Sequence, residues 1–261
     1  MEIALIIPYK NAEKWLKRCL DSIRGPFQVI LIDDHSTDRS SEIVDSHPNA
    51  DNFIHTCTCV SSGVSAARNI GIHHAVNDVK ADYIAFLDAD DELHPDAYQH
   101  MTEAIPEAPK GGIIQFNHLM IMDNTMPVMR MYNKKGTYLL DNLPKLWVSS
   151  VNKLYDADLI KHIQFPQYLK HGEDEIFNIR CLEKARSIYN SEKVTLIHHK
   201  DNPKSLSKST TIDDLFCEQR HLIDELDNFR EDKELCNAIR IRQAELWNNP
   251  CYKRVFGGEG K

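Results

Sequence analysis

Several things this chain lacks narrow its function before any motif is read. It has no basic excess: Lys and Arg number 31 against 39 Asp and Glu, for a formal net charge of −8. A nucleic-acid groove needs clustered Lys and Arg to neutralise phosphates, so nucleic acid is excluded as the main partner, while a small anion site built around a metal is not. No run approaches the ~18–20 continuous apolar residues that span a bilayer, so no transmembrane segment is expected. The N-terminus has no basic leader or cleavage site, and residues 3–7 already read as a buried strand, which points to a cytosolic setting. No Gly-rich phosphate loop follows that strand. The position is Pro8-Tyr9-Lys10-Asn11, which argues against a dinucleotide dehydrogenase or a sugar nucleotidyltransferase. The seven cysteines supply no second pair to complete a zinc cage with Cys57 and Cys59. Those two are expected as buried thiols on one face of a strand.

With 261 residues, 42% of them hydrophobic, the chain can bury a substantial core. Its first half alternates strand and helix. Ile3–Pro8, Val29–Ile32, Phe53–Val60 and Tyr83–Leu87 read as strands, and Ala12–Ile23 and Ser65–Val76 as helices, with a further helix opening at Pro95. That order predicts an α/β fold with a mostly parallel, Rossmann-like central sheet flanked by helices, whose ligands bind at the carboxyl ends of the strands. Ile113–Met122 and Met126–Tyr132 flank Asp123-Asn124 as an added antiparallel hairpin. Glu173–Ala185 reads as a helix and Val194–His198 as a late strand. An apolar stripe from Ile212 through Phe229 marks a helical C-terminal appendage, with a break near Asn228–Asp232. The expected organisation is one domain over 1–210 with a helical extension over 211–261 packed on it.

The carboxylates fall at the ends of strands. Asp33-Asp34 closes the second, and Asp88-Ala89-Asp90-Asp91 closes the fourth. Asp at a strand end commonly makes a turn or caps the next helix. Two clusters on one ligand-binding edge repel one another, however, and call for a hard divalent cation of the kind that binds one or two carboxylates plus substrate phosphates.

Five segments in order, over residues 3 to about 180, resemble the family 2 inverting glycosyltransferases of GT-A fold: Ile6–Asn11, Asp33–Asp38, Gly63 with Ser65–Gly71, Asp88–Asp91, and Gly172-Glu173-Asp174-Glu175. The resemblance implies transfer of a sugar from a nucleotide diphosphate sugar to a hydroxyl of a glycan or lipid-linked acceptor, with Mn2+ or Mg2+ as cofactor. UDP is the first nucleotide expected, and GDP or TDP the alternatives. Pro8, Tyr9 and Asn11 would form the first wall of the nucleotide pocket, and Asp33 or Asp34 would accept a hydrogen bond from the base. Asp90 would hold the metal, with Asp88 contacting the ribose or supporting the metal shell, and Arg68 would approach the nucleotide from its helix. Asp91 receives no role from the pattern.

In the same resemblance Asp174 is the general base that takes the acceptor proton. Glu173 is either the alternative base or a holder of an acceptor hydroxyl. Trp147 and Lys153 match a stretch beside the acceptor. Lys200 and Lys204 would contact the diphosphate, although His198-His199-Lys200 departs from the family's aromatic-Arg pattern there. A His at this point is either a metal ligand or a structural residue. A membrane-attached acceptor would bring the protein to the inner face of the cytoplasmic membrane as a peripheral visitor. A non-catalytic nucleotide-sugar binder is the rival reading, and it would have no use for Asp174.

Overall fold

The computed structural model describes residues 1–58, 62–122, 126–130, 134–140, 143, 149–202, 220–221, 224, 227–229 and 231–237. Its first half is built from β1 (Ile3–Tyr9), β2 (Gln28–Asp33), β3 (Phe53–Cys57) and β4 (Tyr83–Phe86), connected through α1 (Leu16–Asp21), α2 (Ser40–Asp45) and α3 (Val64–His74). All four strands are parallel, in the order β3-β2-β1-β4. Every residue of β1 is buried, as a near-continuous apolar strand must be when helices cover both faces of a parallel sheet. Tyr9 pairs with Asp33, and Ile6 with Phe86, so the carboxyl ends of β1, β2 and β4 open on one edge. The acidic stretches begin where those strands stop.

The second half comprises β5 (Glu92–Leu93), α4 (Ala97–Ala104), β6 (Ile113–Ile121), β7 (Val128–Arg130), β8 (Gly136–Leu139), β9 (Lys153–Asp156), α5 (Ala157–Ile160), α6 (Glu173–Ala185) and β10 (Ser187–His199). The full sheet has ten strands among the described residues, in the order β3-β2-β1-β4-β9-β6-β10-β5, with β7 beside β6 and β8 beside β10. β9 runs antiparallel to both β4 and β6, while β6 and β10 are parallel. The carboxyl ends of β6 and β10 therefore face the same edge as those of β1 and β4. β5 pairs antiparallel with the end of β10, Leu93 opposite Leu196. This brings the acidic stretch after β4 against the two histidines that close β10.

The expected architecture is present, with local differences. The hairpin forms as β6–β7, His118 opposite Arg130, and its turn at 123–125 lies outside the described residues. The late strand is longer than expected and starts at Ser187. Its first half sets Ile188 and Tyr189 among polar residues, of which Ser187 and Asn190 are buried where they pair with the neighbouring strands, so the continuous apolar signal starts only at Val194. α4 starts at Ala97 because Pro95 and Asp96 form a turn ahead of it. Cys57 is exposed, correcting the expectation of a buried thiol, because it closes β3 at the border of the sheet. Helical residues recur at 220–221, 224, 227–228 and 233–237, with the expected break between them. Phe229 and Leu235 pack on the core, and Arg186 at the end of α6 bonds with Asp232 and, at 2.8 Å, with Glu234. The other members of the apolar stripe, from Ile212 to Leu226, lie outside the described residues.

α3 lies close on β1 and β2. A Cβ on Gly71 would land on the Ile6 side chain and 3.1 Å from the end of Ile32. The close approach matters for the site, because α3 carries Arg68.

Candidate active site

The loops after β1 and β2 make one wall. Asp34 is 4% exposed. One of its oxygens accepts from Lys10 Nζ at 3.1 Å, the other from Thr58 Oγ1 at 3.1 Å and Gly63 N at 2.9 Å. Asp33 turns the other way: its carboxylate accepts from Ser36 N at 2.8 Å and Ser41 Oγ at 2.9 Å, the bonds of a turn cap. Pro8 and Tyr9 are buried ends of β1, and burial raises the pKa of the Tyr9 phenol, whose oxygen lies 2.6 Å from His55 Nε2. Asn11 sits in the left-handed region at φ 49°, tolerable for Asn. Its backbone N–H donates to Ser36 Oγ, and its side-chain oxygen accepts from Thr37 N at 2.7 Å, stapling the two loops together.

The second wall is acidic. Asp88, Asp90 and Asp91 offer oxygens that all lie within 4.8 Å of one another. Asp91 is fully buried and accepts from His199 N at 2.8 Å, with His198 Nδ1 2.8 Å from its other oxygen. Burial pushes the Asp91 carboxyl up to about 6 against the opposing pull of His198. Burial would lower the His198 imidazole, but the bond to Asp91 and its charge outweigh that and raise it. Asp90 accepts from Asn202 Nδ2 at 2.8 Å through its side chain and from Arg18 Nη2 at 2.7 Å through its carbonyl. Arg18 also holds Asp201 at 3.2 Å, so the segment after β10 is tied across the acidic stretch.

The third wall is the start of α6. Gly172 precedes it at φ 79°, a backbone setting that a side chain disfavours, and Glu173 and Asp174 occupy the first turn. Both meet Arg68. The guanidinium donates to Asp174 Oδ1 at 2.9 Å, Glu173 Oε1 at 3.2 Å and Asp88 Oδ1 at 3.0 Å. Burial and the charge of Asp174 raise the Glu173 carboxyl, with Arg68 opposing. Ser149 Oγ reaches the second oxygen of Asp174 at 3.3 Å. Lys153 is wholly buried and approaches the site from beneath, its Nζ donating to Ser149 O at 2.5 Å. Burial pulls its ammonium down to about 7.

The structure thus brings Pro8, Tyr9, Asn11, Asp34, Arg68, Asp88, Asp90, Glu173 and Asp174 to one edge. Lys200 follows the histidines there, its backbone N–H bonded to Ile121 O at 2.9 Å. Asp33 is bonded within its own loop, and Arg68 is bonded to three carboxylates. Trp147 and Lys204 lie outside the described residues. Sequence reasoning left Asp91 without a role and left His198 open between metal and structure. Their pairing depends on the two-residue β5, too short to show a pattern. Ser149 lies in the stretch matched beside the acceptor but was given no role of its own.

The glycosyl transferase family 2 model matches residues 4–163. The chain belongs to that family. It is 27% identical over 218 residues to the putative glycosyltransferase EpsH of Bacillus subtilis, covering 78% of this chain and 62% of that one. To the poly(ribitol-phosphate) beta-N-acetylglucosaminyltransferase TarS of Staphylococcus aureus it is 25% identical over 209 residues, 72% of this chain and 34% of TarS. This family 2 chain therefore spans under two thirds of the length of these relatives. In three dimensions it is similar to TarS residues 1–349 in complex with UDP-GlcNAc, with a TM-score of 0.72 and 21% identity over 87% of this chain and 67% of that one. A more distant similarity, TM-score 0.54 at 14% identity, covers 83% of this chain and 79% of the Mycobacterium tuberculosis glucosyl-3-phosphoglycerate synthase in complex with Mn2+, UDP and glucosyl-3-phosphoglycerate. These likenesses establish the GT-A fold.

Proposed function

We propose that this protein transfers a sugar, with inversion, from a UDP-sugar to a hydroxyl of a glycan or lipid-linked acceptor, using a divalent cation. The observation that carries the reading is the meeting of Asp34, the Asp88–Asp91 cluster and the Glu173-Asp174 pair at one sheet edge. The UDP and UDP-GlcNAc of the structural neighbours favour UDP over GDP or TDP. The division into a transferase domain over 1–210 and a C-terminal extension over 211–261 is part of the same proposal. No helix among the described residues is long and apolar enough to cross a membrane. We place the reaction in the cytoplasm, reaching the inner membrane face when the acceptor is lipid-linked.

The donor set fits a hard cation. Asp88 and Asp90 supply carboxylate oxygens, and Asp91, by engaging His198 Nδ1, leaves Nε2 as the nitrogen available to a metal. Mn2+ or Mg2+ held there would stabilise the negative charge that gathers on the departing diphosphate. Asp33 or Asp34 accepts from the base edge; Asp33 is held by Ser36 and Ser41, and Asp34 by Lys10, Thr58 and Gly63. Pro8, Tyr9 and Asn11 shape the wall behind the nucleoside. Asp174 takes the proton of the acceptor hydroxyl as that oxygen bonds to the anomeric carbon. The bond from that carbon to the diphosphate oxygen breaks, and its electron pair leaves with UDP. One base suffices for an inverting transfer, so Glu173 is assigned to the acceptor's other hydroxyls.

Calorimetry with UDP and manganese, beside a UDP-release assay on a panel of UDP-sugars, tests this reading. Asp90→Ala should abolish manganese-assisted UDP binding. Asp174→Asn should keep that binding and lower kcat by about 100-fold or more. Full activity of Asp174→Asn would remove the base assignment, and absence of UDP binding by the unaltered chain would remove the function.

A further inference from the structure

Arg68 was expected beside the nucleotide, but its surroundings suit a different task. It is 3% exposed, and both terminal nitrogens are bonded to carboxylates. Those carboxylates belong to opposite halves of the site: Asp88 follows β4 on the donor side, while Glu173 and Asp174 open α6 on the acceptor side. The guanidinium also lies over the Phe165 ring, with Cζ 5.3 Å from its centroid. Phe165 stacks on Phe177 of α6 at 3.8 Å and 7°. Next to Arg68 on α3, Asn69 clamps the Phe165 backbone through both ends of its amide, at 2.8 and 2.9 Å. The platform under the guanidinium is therefore tied both to the helix that carries Arg68 and to the helix that carries the base.

We infer that Arg68 is a positioning residue that couples the donor-side carboxylate Asp88 to the base Asp174, and is not a nucleotide ligand. The inference rests on the proposed function and deepens it. Three carboxylates gathered around a buried guanidinium repel one another, and its planar, forked donors bridge all three where the ammonium of lysine, a point charge, cannot. Arg68 takes Oδ1 of Asp174, and Ser149 Oγ reaches Oδ2. Asn178 Nδ2 holds the Asp174 backbone oxygen at 2.8 Å. The base is thus held from three sides, and Arg68 supplies the one hold that also reaches the donor side.

The test separates binding from turnover. Kd for UDP in the presence of manganese is measured by calorimetry. kcat and KM are measured by UDP release from UDP-GlcNAc and UDP-glucose with water as acceptor, whose proton goes to Asp174. For Arg68→Met, Kd should stay within about threefold of the unaltered chain while kcat falls about 100-fold, the cost of a misplaced reacting group. Arg68→Lys, which keeps the charge and loses the fork, should remain at least about tenfold down in kcat. If Arg68→Met does not fold, the same comparison is made in a Glu173→Gln background, which removes one orphaned carboxylate, with melting curves to verify folding. A Kd raised about tenfold with kcat kept would make Arg68 a nucleotide ligand and overturn the inference. Full turnover by Arg68→Lys or Arg68→Met would overturn it too. If the unaltered chain neither binds UDP nor releases it from any UDP-sugar, the proposed function itself fails, and the inference with it.

Discussion

Asp91 and Asp90 are neighbours in sequence with opposite tasks. Asp90 is partly exposed and faces the position proposed for the cation, whereas Asp91 is fully buried and spends its oxygens on His198 and His199. Its effect on a metal passes through the imidazole, since a carboxylate on one ring nitrogen orients the other toward the metal and raises its basicity. Asp91→Asn keeps the size and loses the charge. It should weaken manganese affinity by about 10–100-fold, measured by direct titration, while leaving Asp90 in place. Unchanged affinity would show that His198 is only structural. Lys153 is a similar case of a residue acting at one remove. It is buried beneath Ser149 and donates to that residue's carbonyl, the residue whose hydroxyl reaches Asp174.

At the scale of elements, the packing of α3 on β1 decides where Arg68 stands. Gly71 lets the helix descend onto Ile6 and Ile32. Gly71→Ala would force the helix outward or the strand side chains off their rotamers, at a cost of about 1–3 kcal/mol. A fall of about 2–4 °C in Tm per kcal/mol is expected for a chain of this size. kcat should drop as well, because Arg68 is one turn away on the same helix. Much of this layer was legible beforehand. α6 was expected over Glu173–Ala185 and runs over those residues, since carboxylates in the first turn favour a helix start and Ile176, Phe177 and Ile179 lie buried on its inner side. The strands of the first half were legible because buried parallel strands are near-continuous apolar runs. β5, β8 and β9 were not: each has four residues or fewer and is defined by its partner, not by its own pattern. Asp33 and Asp34 were indistinguishable in sequence for the same reason. Their hydrogen-bond partners differ entirely, and only the loops that meet them set those partners.

At the scale of the whole molecule, pH sensitivity should reveal a buried histidine. His118 on β6 is fully buried, and burial, with His198 and Arg130 nearby, pulls its imidazole down from 6.5 to about 3. Between those pH values the unfolded chain binds a proton that the folded chain does not. This contribution therefore lowers stability as pH falls from 6.5 toward 3, by up to about 1.4 kcal/mol per pH unit. Asp91 has the opposite sign: its folded pKa of about 6 exceeds the unfolded value of 3.8, so it favours the fold as pH falls through that window. Denaturant melts of the unaltered chain and of His118→Gln at pH 7 and pH 5 isolate the first effect. The variant should lose less stability between the two, and an equal loss would show that His118 takes up its proton in the folded state.

The order of strands and helices, the mostly parallel sheet and the acidic strand ends were determined by the sequence itself, because periodicity, apolar runs and cap residues are local properties of the chain. The partner of each carboxylate was decided only by tertiary structure. Asp91 meets His198 across 107 positions, and Arg68 meets Asp174 across 106. Hydrogen bonds between residues so far apart depend on strand order and helix height over the sheet, which no local pattern encodes.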